Sequence, residues 1–177
     1  MKKLTFLSVI LVSAILSCKK SNSSSSSTHL TATVGGTAKT FDTAALANKS
    51  SIAGTDVITI MGYNNPSSGE GVNFTIDNSS ANGKPIVAGT YTDTSSTGFH
   101  VGFTYVGQGQ ATWIGSTSTA ADAAGAQITI KNHLKIVITS VDATSIKGSF
   151  SGDLYPNGDV TGTPLTVTNG DFYVKFQ

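Results

Sequence analysis

In Ile146-Lys147-Gly148-Ser149-Phe150-Ser151-Gly152-Asp153-Leu154-Tyr155, Ile146, Phe150 and Leu154 share one face with Gly148 and Gly152, and Lys147, Ser149, Ser151 and Asp153 take the other. A period of two is the signature of an extended strand with one face on a core. Glycines on that inward face point to bends, bulges or the close approach of neighbouring chain. Upstream, Asp142 to Ser145 is a turn, Leu134 to Val141 a second strand, Asn132-His133 a tight turn, and Gln127 to Lys131 a third strand. Downstream, Pro156-Asn157-Gly158-Asp159 is a turn, because Pro presets φ and Asn-Gly tolerates positive φ. The chain closes with Thr166 to Thr168, a turn expected at Asn169-Gly170, and Phe172, Val174 and Phe176 on one face of a last strand.

The same period runs through the rest of the chain. Leu30, Ala32 and Val34 alternate with Thr31 and Thr33; Gly35-Gly36 then reads as a two-residue hairpin turn into Thr37 to Phe41. Asp56 to Tyr63 is a strand, Asn64 to Gly71 a loop, and Val72, Phe74 and Ile76 alternate with Asn73, Thr75 and Asp77. Asn78 to Pro85 is turn-rich and Ala88 to Thr92 a short strand. Phe99, Val101, Phe103 and Tyr105 share a face, and Thr112 to Gly115 carries Trp113, the single tryptophan. Ala120 to Ala124 is about one helical turn long, too short to hold alone, and reads as a loop. About nine to eleven strands joined by hairpin-length turns predict an all-β, antiparallel β-sandwich, with a closed antiparallel β-barrel as the alternative. Parallel strands need crossovers for which there is no room.

Charged residues make up only 12% of the 177, and all eleven basic residues are Lys. Without Arg the planar fork favoured for phosphates and guanine edges is missing, so nucleic acid is not an expected partner. Met1-Lys2-Lys3 is a positive n-region, Leu4 to Leu16 an apolar stretch too short for the roughly 20 residues of a spanning helix, and Ser17 a small residue before Cys18. Residues 1–17 are therefore expected to be a cleaved signal peptide. Removal of Lys2 and Lys3 with it leaves nine Lys against ten acids, close to neutral. Residues 18–28 form a Cys followed by a Ser-rich tether that cannot bury a core, and 29–177 a single β-domain. As a flexible linker the tether reaches about 17 to 19 Å.

Ile15-Leu16-Ser17-Cys18 resembles the lipobox of bacterial lipoproteins. The resemblance implies a diacylglyceryl group on the Cys18 thiol, cleavage before it and acylation of the new amine. At about 0.8 kcal/mol per buried CH₂, two or three such chains hold a protein at a membrane stably where one does not. Further on, Gly148-Ser149-Phe150-Ser151-Gly152-Asp153-Leu154-Tyr155 and Val167-Thr168-Asn169-Gly170-Asp171-Phe172 resemble strands of small Bacteroidetes-type lipoproteins, with Val167 where those have Ile. That resemblance implies secretion and a β-rich domain and carries no activity with it. The expected location is the outer membrane, facing the periplasm.

Signals for catalysis are sparse. His29, His100 and His133 show no metal-ligand spacing, so neither a metal nor a cofactor is expected. Glu70, the one Glu, falls in the Gly-rich loop, and a glycosidase needs two carboxyls across a cleft. Asp42, Asp93, Asp142 and Asp159 sit at strand ends and turns, where a side chain bonding its own backbone is the ordinary reason to find them. Asp153 to Asp159 has an acid spacing that Ca²⁺ sites use but fails the EF-hand pattern. No Gly-x-Ser-x-Gly elbow is present, and no catalytic residue is assigned.

Aromatic rings with polar handles are the remaining candidates, chiefly Trp113, Tyr155 and Tyr173, the last two forming a conceivable solvent-side cross-strand pair. Three functions follow in order of preference. The first is a non-enzymatic, lipid-anchored envelope domain that binds an envelope protein or glycan or has a structural role. The second is a carbohydrate- or small-ligand-binding module, which needs Trp113 or two tyrosines exposed. The third is a hydrolase, which needs two acids, or a Ser and a His, converging in a pocket.

Overall fold

The computed structural model describes residues 27–65, 67, 69–81, 83–93, 98–115, 120–121 and 127–177. Its strands are β1 (His29–Val34), β2 (Thr37–Thr40), β3 (Thr43–Ile52), β4 (Thr55–Asn65), β5 (Glu70–Asp77), β6 (Gly89–Thr92), β7 (His100–Val106), β8 (Thr112–Gly115), β9 (Ala120–Ala121), β10 (Gln127–Ile128), β11 (Lys135–Val141), β12 (Ser145–Pro156) and β13 (Leu165–Lys175). A single 3-10 turn, Gln108–Gln110, is the one helical element among the described residues. The fold is all-β, as the period of two predicts, and every strand ladder among the described residues is antiparallel, as the lack of room for crossovers predicts.

Eleven strands form one sheet, whose main path runs β2-β1-β13-β12-β8-β7-β5-β4-β3. The sheet curls into a half-barrel, so a single layer supplies both walls that a sandwich would draw from two. β12 is long enough to take two partners on one side, β11 along Ile146 to Ser151 and β8 along Leu154 to Pro156. The flanks of the curl meet where Ala47 of β3 bridges Phe176. Inside, Phe74 of β5 lies 4.8 Å from Phe150 of β12 and 5.3 Å from Phe172 of β13, ring centre to ring centre, and Phe103 of β7 lies 5.3 Å from Phe150. These contacts across the interior join walls that are far apart along the sheet.

The first hairpin forms as read: Val34 pairs with Thr37, and Gly35 and Gly36 take φ of 56° and 81°, the left-handed values that a two-residue turn needs. In β12, Gly148 is a site of close approach, since a Cβ there would come within 2.7 Å of the Phe172 ring.

Four expectations are corrected. Asn169-Gly170 is not a turn; β13 runs straight through it as a bulge, with Asn169 at φ 51° and the register shifted against both β1 and β12. The extra residue moves the buried face from Val167 to Gly170, Phe172 and Val174. The Asn132-His133 hairpin does not form either. β11 pairs with β6 and β12, while Asp153 holds Asn132 by a backbone bond of 2.9 Å and by two side-chain bonds. Ala120 and Ala121, expected in a loop, pair with β10; residues 122–124 lie outside the described ones. The fourth correction is β3, ten residues absent from the strand reading, largely exposed and lacking clean alternation.

Candidate functional site

Strand parity builds the site. Glu70 opens β5 two residues before Val72, so it belongs to the inward series Val72, Phe74, Ile76, and it is 1% exposed. Its placement in the Gly-rich loop is thereby corrected. Glu70 Oε1 accepts from the Tyr105 hydroxyl at 2.7 Å and from Lys39 Nζ at 2.8 Å, and Oε2 accepts from Asn64 Nδ2 at 3.0 Å. Burial pushes this carboxyl up, but hydrogen bonds from Lys39, Tyr105 and Asn64 and the Lys39 charge outweigh it and hold Glu70 below the usual carboxylate range. Burial, then the hydrogen bond and charge of Glu70, push the Tyr105 hydroxyl far up.

Tyr105 pairs with Trp113 across β7 and β8, their ring centres 5.8 Å apart and tilted by 36°. Trp113 is half-buried, packed on the core at one side and lining a cleft of about 280 Å³ at the other. Lys39, Glu70, Tyr105 and Gln108 share that cleft with Thr37 and Gly107. It lies at the pole where β1 ends, beside Val34 and Gly35. The described chain begins at the other pole, where His29 Nε2 lies 2.7 Å from Asp171 Oδ2. Five steps of β1 at about 3.3 Å each put roughly 17 Å between the two.

The other expected residues part company. Tyr155 is buried and pairs with Ile114, whereas Tyr173 is half-buried and pairs with Lys147, eight positions away along β12. Among the described residues no two tyrosines pair across strands. Burial, and then the Asp153 charge, raise the Tyr155 hydroxyl above its ordinary value. Cys18 lies outside the described residues. Lys39, Glu70 and Gln108 were not singled out as ligand-facing; the parity of residues 70, 72, 74 and 76 is the signal that locates Glu70, while Lys39 and Gln108 come to it only through the curl.

Two histidines do reach acids. His29 contacts Asp171 at the surface, and His133 Nδ1 lies 3.2 Å from Asp93 Oδ1, whose side chain is 2% exposed. Neither Asp93 oxygen nor that nitrogen makes a hydrogen bond of good geometry, and no serine or cysteine bonds to either residue among the described residues. His100 Nε2 lies 3.2 Å from Ser80 Oγ. Asp153 is buried on Asn132 and Thr166, and Asp159 is turned to Thr161, so the two acids at a Ca²⁺-like spacing serve different local structures. Among the described residues no three potential metal ligands converge. Protein-family models, curated proteins and solved structures offer no match to this chain, which leaves the chemistry of the cleft itself as the guide to function.

Proposed function

We propose that this chain is a lipid-anchored domain of the cell envelope, held at the outer membrane by an acylated Cys18 and facing the periplasm, which works by binding and uses the Trp113 cleft to do so. One observation carries the binding half: the single tryptophan stands half-exposed in a cleft beside an ion pair that is already neutralised and hydrogen-bonded. A fixed aromatic surface with a few oriented polar groups is the usual composition of a small-ligand site. A catalytic reading has in its favour the His133–Asp93 contact, which no serine or cysteine joins among the described residues, and two exposed contacts, His29–Asp171 and His100–Ser80, none of which lines the Trp113 cleft. The lipobox supports the anchoring half.

The test is retention of envelope components on the full-length chain, purified in detergent, from extracts with and without cell-wall glycans. Retention that is lost in Trp113→Ala and kept in His133→Ala is the expected result. Equal retention by Trp113→Ala overturns the cleft as the site, and turnover of an envelope ester or glycan that disappears in His133→Ala overturns the non-enzymatic reading.

A further inference from the structure

We infer that the Trp113 cleft takes a neutral sugar ring; this rests on the cleft being the binding site. The ligand class follows from what the cleft can and cannot satisfy. A charged ligand finds no opposite charge to meet, since Lys39 and Glu70 are paired at 2.8 Å and cancel each other. A cation gains little from Glu70, because Tyr105, Lys39 and Asn64 already donate to it. An acyl chain would have to dehydrate this pair, at a cost that apolar burial in so small a cleft does not offset. What remains on offer is a set of directional donors and acceptors beside an aromatic surface. The Lys39 ammonium has one partner among the described residues and protons to spare, while Thr37 and Gln108 are exposed at the rim. Hydroxyl groups that both donate and accept, carried on a ring with an apolar C–H face, match that set. At about 280 Å³ the cleft sits at the lower end of small-molecule sites, which suits one ring of a chain whose remaining rings stay in solvent. The cleft is at the pole opposite the start of the described chain, so an oligosaccharide can extend away from it.

Because Trp113 is the only tryptophan, its emission reports this cleft alone. The full-length chain, in a polyoxyethylene detergent without sugar headgroups, is titrated with maltotriose, cellotriose and chitotriose, and with trigalacturonate and the glucosamine trimer as charged counterparts. We expect a saturable change in emission with at least one neutral trimer and at least tenfold weaker binding of its charged counterparts. Gln108→Ala, at the exposed rim and outside the core, should weaken the response about threefold to tenfold, roughly 0.7 to 1.4 kcal/mol. Trp113→Phe should keep binding by calorimetry where Trp113→Ala loses it. Silence with all three neutral trimers at about 10 mM, far above the range of useful affinity, overturns the sugar assignment, as does equal binding of a charged trimer. In either case the binding reading itself survives if the full-length chain retains a component of glycan-free envelope extract that Trp113→Ala does not, and falls with the sugar assignment if the two retain alike.

Discussion

Glu70 shows how a single carboxylate is made both structural and pH-sensitive. Its ordinary value is 4.5, and its hydrogen-bonded surroundings lower it in the folded protein. A depressed folded value means stabilisation that is complete above the unfolded value and is lost as pH falls through the folded one. We therefore expect stability to decline as pH drops below about 4.5, and Glu70→Gln to be less stable at pH 7 with a flatter dependence through the acid range, read by urea titrations at several pH values. Glu70→Ala, which leaves Lys39, Tyr105 and Asn64 facing an uncompensated hole, should cost about 3 kcal/mol or more at neutral pH. A stability unchanged from wild type at pH 7 would show that water replaces the carboxylate without penalty. Only part of this residue's role is legible in the sequence. Parity with Val72, Phe74 and Ile76 turns it inward, whereas its partner Lys39 is 31 positions away and reaches it only because β2 curls towards β5.

At the scale of the element, β13 is the clearest case of local chemistry being put to an unexpected use. Asn-Gly suits left-handed backbone, and the commonest use of that is to reverse the chain. Here β1 and β12 pair with β13 on both of its sides, before and after Asn169, so the same φ of 51° is spent on a bulge. Deleting Asn169 should then let Val167, Gly170, Phe172 and Val174 alternate on one face without interruption, turning the bulge into regular strand and keeping a cooperative thermal transition; loss of that transition would show that the bulge itself is required. Asn169→Gly should be close to neutral, while Asn169→Val, β-branched at positive φ, should destabilise by about 1 to 2 kcal/mol. β3 escaped the strand reading for the opposite reason. Its run Asn48 to Ile52 is exposed on both faces, and a strand with no buried face leaves no alternating pattern to find.

The whole molecule depends on the curl, and Phe74 is where its walls meet. Phe74→Ala removes a ring touching Phe103, Phe150 and Phe172 and should cost about 3 to 5 kcal/mol, measured by chemical denaturation. The proposed anchor belongs to this scale as well. Cys18→Ser should abolish palmitate labelling and move the protein from the membrane to the soluble fraction, with the melting temperature of the β-domain unchanged, because a tether that cannot bury a core adds nothing to it. Persistent membrane partitioning of that variant would refute the lipid anchor.

The amino-acid pattern by itself determined the strand period, the antiparallel class, the first hairpin and most inward-facing residues, because alternation and turn chemistry act over a few neighbouring positions. Tertiary structure alone decided, between the sandwich and the barrel that the pattern allowed, that one sheet curls into a half-barrel, that Asn169 makes a bulge, that Asn132 bonds Asp153, and that Lys39, Glu70, Tyr105 and Trp113 share one cleft. Those outcomes depend on which distant strands pair and in what register. That choice is made by burying the whole apolar set at once, a property of no single segment.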